Sequence, residues 1–155
     1  MRKWHVEWLL VLPLFGACEK DHDTSVQFYS EQANIVIRNG TSYTECMGYC
    51  TGELSVEQSV SSLKRISNNG QKIITYTWKT DPVIWNQLLN KIDTQQLALL
   101  SHHISCTDCK VGGNEWLEVQ LNNKVYTINF TLSDTLPSLS PLLTELHQLY
   151  MQKKQ

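Results

Sequence analysis

A β-hairpin pattern runs through residues 115–130, EWLEVQLNNKVYTINF, and it sets the type of fold. Apolar and polar residues alternate on both sides of Asn122-Asn123, as in two strands joined by a two-residue turn. The opposed pairs across this hairpin are then Val119 with Tyr126, Leu117 with Ile128, and Glu115 with Phe130. One face collects the apolar side chains Leu117, Val119, Leu121, Tyr126, Ile128 and Phe130. A face of this kind has to be covered by other elements.

Four further strands are predicted upstream of the hairpin, from short runs rich in β-branched and aromatic residues. The turn signals between them include Asn39-Gly40 and Asn68-Asn69-Gly70. The predicted strands cover residues 34–38, 52–60, 63–66 and 72–78. Because the connections are short, we expect these strands to form an antiparallel meander.

Helical spacing replaces strand alternation after residue 80. Asp81 can cap a helix that begins at Pro82, and Asp93 can cap a second helix over residues 94–100. A third helix is predicted to begin at Ser140-Pro141, with Leu142, Leu143, Leu146, Leu149 and Tyr150 on one side. We therefore expect one α+β domain over residues 31–152, an antiparallel sheet of about five or six strands with two or three helices on one face.

The N-terminal segment has the organisation of a secretory signal. Two basic residues precede an apolar run of about ten residues at positions 8–17, which is too short to cross a bilayer. Gly16-Ala17 and then Cys18 follow the pattern of small residues before a cysteine. This stretch resembles the lipobox of bacterial lipoproteins, although Phe15 stands where the family prefers an aliphatic residue. The alternative is an ordinary secreted protein with an incidental cysteine.

The lipobox resemblance implies that residues 1–17 are removed and that Cys18 carries two or three acyl chains, palmitate among them. Chains of that number hold a protein stably at a membrane. The polar residues 18–30 are then a lipidated, flexible tether. Glu19 stands where some lipoproteins carry an Asp that retains them in the inner membrane, and this difference favours the outer membrane. The acidic residues 19–23 also resemble short signals that send some lipoproteins to the cell surface, so either face of the outer membrane is open.

Charge and motifs argue against several classes of function. The formal net charge of −2 at pH 7 does not suit a nucleic-acid partner. Gly112-Gly113 is followed by no helical pattern and no Gly-Lys-Ser, so it is not a phosphate-binding loop. Gly-x-Ser-x-Gly and His-Glu-x-x-His are absent from the sequence. We therefore expect a protein that is not an enzyme and that needs no cofactor.

Four cysteines remain in the domain: Cys46, Cys50, Cys106 and Cys109. In an oxidising compartment, an even number of cysteines predicts disulfides. The close spacing favours the local pairs Cys46 with Cys50 and Cys106 with Cys109, while cross-pairing between the two motifs is the alternative. A five-residue loop would contribute about 2 kcal/mol and a cross-link between the motifs about 4 kcal/mol. Local pairs would therefore shape two loops more than they stabilise the domain.

A metal site is the competing interpretation of the same cysteines. Zinc or copper could be held by a set drawn from Cys46, Cys50, His102, His103, Cys106 and Cys109. A thiol-redox role for Cys106 and Cys109 would need a βαβ context, which the pattern lacks. The two histidines can also be read as polar residues of an exposed loop. Titration of thiols without reductant separates disulfides from a metal site.

Three motifs together resemble a family of small bacterial lipoproteins for which no activity is established. They are CMGYC at 46–50, CTDC at 106–109 and GGNEW at 112–116. Family members share Cys-x-Gly-Tyr-Cys, a later Cys-Pro-Asp-Cys, a glycine pair and a Glu-Trp strand start. Here Thr107 replaces the usual proline, and Lys110-Val111 stands where Ala-Asp is common. The resemblance covers residues 42–149 and implies fold and location only.

Trp116 is the best candidate for contact with a ligand or partner. It is the one large aromatic residue on the otherwise polar face of the hairpin, beside a loop that presents Met47 and Tyr49. The alternative is that Trp116 covers a second apolar cluster with Val125. We expect a non-catalytic binding or structural module, anchored by its lipid, whose ligand or envelope partner the sequence does not identify. On that reading, Trp116→Ala would fold normally and weaken the association.

Overall fold

The computed structural model describes residues 34–103, 112–132 and 134–154, although the side chains of residues 102 and 103 are not described. Within these ranges the chain forms six strands and three helices, which confirms the α+β expectation. The elements are β1 Ile35–Ser42, β2 Tyr49–Glu57, β3 Val60–Ser67, β4 Ile73–Lys79, α1 Pro82–Leu89, α2 Thr94–His103, β5 Asn114–Leu121, β6 Lys124–Thr131 and α3 Ser140–Lys154.

The strands form one antiparallel sheet in the order β4-β3-β2-β1-β5-β6. The first strand of the sheet is therefore central, since β1 pairs with β2 on one side and with β5 on the other. The hairpin of β5 and β6 has the predicted register, with Glu115 opposite Phe130 and Leu117 opposite Ile128. Its two-residue turn is Asn122-Asn123, as alternation in the sequence predicts.

The helices cover one face of the sheet and enclose the core with it. Asp81 caps α1 by accepting a hydrogen bond from the backbone N–H of Val83 at 2.8 Å, and Asp93 accepts two from the first turn of α2. Both predicted helix starts are confirmed. The fully enclosed apolar side chains include Ile37, Leu54, Leu63, Leu88, Leu97, Leu117, Ile128 and Leu146. These come from both layers, as a two-layer domain requires.

The predicted turn at Asn39-Gly40 is wrong, because β1 continues through both residues to Ser42. The Asn39 side chain is buried and hydrogen-bonded to Glu115, so it has a partner that an exposed turn would not offer. Gly40 is opposite Trp116 in the sheet, and a Cβ at Gly40 would overlap the indole ring. Contacts that are distant in sequence therefore override the local turn preference.

The β2–β3 turn also differs from the prediction. β2 ends at Glu57, so the turn falls at residues 58–59 and not beyond residue 60.

In the ranges that the structure describes, no helix is long and apolar enough to cross a membrane. The predicted signal segment 1–17, Cys18 and the tether 18–30 lie outside the described residues.

Candidate binding site

A buried carboxylate, Glu115, lies at the start of β5 on the face that the helices cover. It is only 4% exposed, and strand alternation places it on the same face as Leu117. A buried charge is costly unless it is hydrogen-bonded. Glu115 Oε1 accepts a hydrogen bond from Asn39 Nδ2 at 2.7 Å, and the same Nδ2 donates to the carbonyl of Trp116 at 3.0 Å. Asn39 therefore fixes the position of the carboxylate.

His147 is the second partner of this carboxylate. Its Nε2 is 2.6 Å from Glu115 Oε1, and its side chain is about half exposed, at 49%. An ionised carboxylate can only accept hydrogen bonds, so Nε2 carries the proton when the imidazole is neutral. The hydrogen bond to Glu115 raises the pKa of His147, burial lowers it, and the negative charge of Glu115 raises it, with a net upward shift. Its Nδ1 accepts a hydrogen bond when the ring is neutral and donates one when the ring is charged.

The pair lies on the wall of a cavity of about 290 Å³ between α3 and one end of the sheet. This is the end where β1 stops and where β2 and β5 begin. Besides Glu115 and His147, its wall includes Tyr43, Tyr49, Tyr150 and Lys154. Its volume is at the lower limit of ligand pockets, which span roughly 300–1,000 Å³. A small ligand with polar groups is the occupant that this wall suits.

A second cavity of about 450 Å³ also borders the pair. Glu115, His147 and Leu132 line both cavities. The second one is otherwise bounded by the chain after β6 and by the start of α3. Its other acidic residue, Asp134, already accepts a hydrogen bond from the backbone N–H of Thr131 at 2.8 Å. The Glu115–His147 pair therefore borders two cavities, and the first of them has the three tyrosines.

Two cations lie beside tyrosines of the wall of the 290 Å³ cavity. The guanidinium of Arg65 stacks 4.8 Å from the ring centroid of Tyr49, and Lys154 Nζ is 6.0 Å from that of Tyr150. Burial raises the pKa of Tyr150, while the charge of Arg65 lowers it and Tyr43 raises it. The net shift is upward, so the Tyr150 hydroxyl is neutral at physiological pH. The wall therefore combines the Glu115 carboxylate with the Lys154 ammonium group, and Lys154 follows His147 by about two turns of α3.

The Cys46–Cys50 disulfide shapes the rim of this cavity. The two Cα atoms are 5.6 Å apart, and the buried Cys50 lines the cavity. The local pair of the first motif is thus present. Bonded to each other, the two sulfurs offer no thiolate to a metal, and no group of three or more His, Cys, Asp or Glu in the described residues could hold one. Cys106 and Cys109 lie outside the described residues, so the second pair and the metal alternative stay predictions.

The three predicted contact residues do not share one surface. Tyr49 lines the cavity, whereas Met47 is fully exposed in the disulfide loop. Trp116 lies on the open face of the sheet, with its ring against Gly40. Val125 is opposite Gln120, four residues along β5 from Trp116, so the register does not pair it with the indole. The role of Trp116 in contact stays a prediction.

Sequence reasoning missed the polar pair, although a signal for it was present. Glu115 occupies a position of the hairpin's apolar face, where a carboxylate is out of place. His147 comes four residues after Leu143 and three before Tyr150, so it lies on the apolar side of α3. A charged or titratable residue on an apolar face could have marked either position as a candidate site residue. That the two residues meet could not be read from spacing, because 32 positions separate them.

In comparisons with known proteins, no family model and no curated protein matches the chain. A functional assignment therefore rests on the geometry of the site and on the motifs of the sequence.

Proposed function

We propose that this protein is a lipid-anchored binding module of the bacterial cell envelope, and that it holds a small polar ligand in the 290 Å³ cavity. The observation that carries the proposal is the Glu115–His147 pair on the cavity wall, with a carboxylate that is only 4% exposed. Replacing a buried ion pair by apolar residues is often neutral or stabilising. Stability alone does not explain a carboxylate here, whereas polar recognition does.

Binding suits the pair better than catalysis. A nucleophilic mechanism needs a hydroxyl or thiol within hydrogen-bond reach of the base. In the described parts of the chain, the side-chain partner of His147 is the Glu115 carboxylate, and no serine, threonine or cysteine is hydrogen-bonded to its ring. The pair is therefore arranged to hold charge and to direct hydrogen bonds.

The envelope location is supported by two independent features. Gly16-Ala17-Cys18 resembles a lipobox, and the polar residues 18–30 suit a tether that links the lipid to the domain. The Cys46–Cys50 disulfide is typical of proteins outside the reducing cytosol. We assign the protein to the outer membrane because Glu19, and no aspartate, follows the cysteine.

Membrane fractionation with radiolabelled palmitate tests the anchor. Cys18→Ser should lose the label and move to the soluble fraction, because no other acylation site is proposed. Cys109→Ser is the matched control and should keep both the label and the membrane location. Equal membrane partitioning of Cys18→Ser and the unaltered protein would overturn the anchor.

Capture of small molecules from an envelope extract, followed by mass spectrometry, tests the cavity. Thr41 lines the cavity, so Thr41→Phe should fill it and abolish the captured species. Thr77 is exposed on β4, and Thr77→Phe is the matched control that should retain capture. If Trp116→Ala abolishes capture while Thr41→Phe does not, the binding surface is the open face of the sheet and the cavity proposal fails.

A further inference from the structure

From the distribution of charge in the 290 Å³ cavity, we infer that its ligand is a short zwitterion of dipeptide size, with its ammonium on Glu115 and its carboxylate on Lys154. This inference rests on the proposed function, since it takes the cavity to be the binding site. It adds the chemical class of the ligand, which the proposal leaves open.

The ammonium position follows from the unused acceptor of Glu115. Its Oε1 accepts from Asn39 and His147, while Oε2 has no hydrogen-bond partner among the described residues. Oε2 is not sealed in the core, because the described residues contain no buried side-chain oxygen without a partner, and Glu115 lines the cavity. An ionised carboxylate accepts strong hydrogen bonds from an ammonium. The cavity therefore offers one negative acceptor to a donor group.

The position of the ligand carboxylate follows from Lys154, which lies about two turns of α3 beyond His147. Lys154 lines the cavity, and Arg65 stacks on Tyr49, another wall residue. These two charges repel a ligand that is only a cation, while Glu115 repels one that is only an anion. A ligand that carries both charges satisfies both ends.

The length of the ligand follows from α3. Lys154 is seven residues after His147, so the two positions are about 10 Å apart along the helix axis. Two extended residues span about 7 Å. The lysine side chain can cover the remainder, and the Tyr150 ring forms the wall between the two ends.

Isothermal titration calorimetry of the full-length lipoprotein in detergent tests the inference. The probes are alanyl-alanine, its N-acetylated form and its C-terminal amide. We expect saturable binding of the free dipeptide and at least tenfold weaker binding of each blocked form, because each loses one charged contact.

Two variants link each end of the dipeptide to one residue. Lys154→Met should weaken binding of the free dipeptide at least tenfold. The free dipeptide and its C-terminal amide should then bind this variant with similar affinity. Lys153→Met is the matched control, since Lys153 stacks on Trp78 away from the cavity, and it should bind normally. In Glu115→Gln, the free dipeptide and its N-acetylated form should bind with similar affinity. Lys154 is exposed, so its variant tests the inference even if Glu115→Gln fails to fold.

The possible failures are distinguishable. Equal binding of blocked and free dipeptides would overturn the zwitterion assignment. A second outcome would also overturn the zwitterion assignment: no dipeptide binds, yet an envelope molecule is captured by the unaltered protein and not by Thr41→Phe. In that case the proposed function would stand. If no molecule is captured through the cavity, both the proposed function and this inference are wrong.

Discussion

At the scale of single residues, Glu115 and His147 are joined by more than their hydrogen bond. The folded state binds a proton on His147 more tightly than the unfolded chain does, because the bonded carboxylate raises the pKa of His147 above 6.5. Proton binding and folding are therefore linked at this residue. Its half-exposed ring keeps the effect modest, because solvent screens the interaction.

The pH dependence of stability should reveal this linkage. The contribution of His147 should be fully present below 6.5, down to the range where carboxylates become protonated, and should disappear as the pH rises through the folded-state pKa. Urea unfolding of the unaltered protein and of His147→Gln across pH measures it. Glutamine donates a hydrogen bond to Glu115 without titrating, so the difference between the two proteins should shrink at high pH. A difference that does not change with pH would contradict the linkage.

Gly40 is a second residue whose identity depends on a distant partner. The indole of Trp116 occupies the space that a Cβ at Gly40 would need. Gly40→Ala should therefore reduce the free energy of unfolding by about 1–3 kcal/mol, because the ring has to move. Denaturant titration measures the loss. Part of it should be recovered in the double variant Gly40→Ala/Trp116→Ala, whereas simply additive losses would contradict the proposed clash.

At the scale of elements, the loop between β1 and β2 is closed by the Cys46–Cys50 disulfide. Cys46 lies in the loop and Cys50 lies in β2, close to the rim of the cavity. A loop closed over four positions removes little entropy from the unfolded chain. The bond should therefore act mainly on the local shape of the rim.

Replacing both cysteines by serine tests this view. Cys46→Ser/Cys50→Ser should lower the free energy of unfolding by about 2 kcal/mol and leave the secondary structure intact. Denaturant titration and far-ultraviolet circular dichroism measure the two effects. Reduction of the unaltered protein breaks the same bond, so the loss on reduction should be at least as large. Complete unfolding of the double variant would mean that the bond supports the whole domain.

At the scale of the whole molecule, the strand order makes the middle of the sheet the most protected region. β1 is hydrogen-bonded on both sides, whereas β4 and β6 are at the two ends of the sheet order. Central strands open only with much of the fold, while end strands can open locally. Stability should therefore fall from β1 outwards.

Amide hydrogen exchange measures this gradient. Residues 36–41 should exchange most slowly, and residues 73–79 and 124–131 should exchange faster, especially at amides that point away from the neighbouring strand. Gly40→Ala should accelerate amide exchange more strongly in β1 and β5 than in β4. Uniform protection across all six strands would contradict the gradient.

The elements and the hairpin register can be predicted from local patterns of this chain. Alternation around Asn122-Asn123 and the caps Asp81 and Asp93 act over a few residues, so they are visible in sequence. The β1 extension is not visible, because Asn39 and Gly40 have turn preferences that only contacts across the sheet overcome. Local preference is correct here wherever no distant partner opposes it.

The candidate binding site depends on contacts that no local pattern specifies. Strand pairing places β1 between β2 and β5, and the packing of α3 on that face brings His147 to Glu115. Each residue is conspicuous on an apolar face of its own element, but the pair exists only because the chain closes over 32 positions. The local sequence of a segment determines whether it forms a strand or a helix. The packing of the whole core determines which distant residues come into contact.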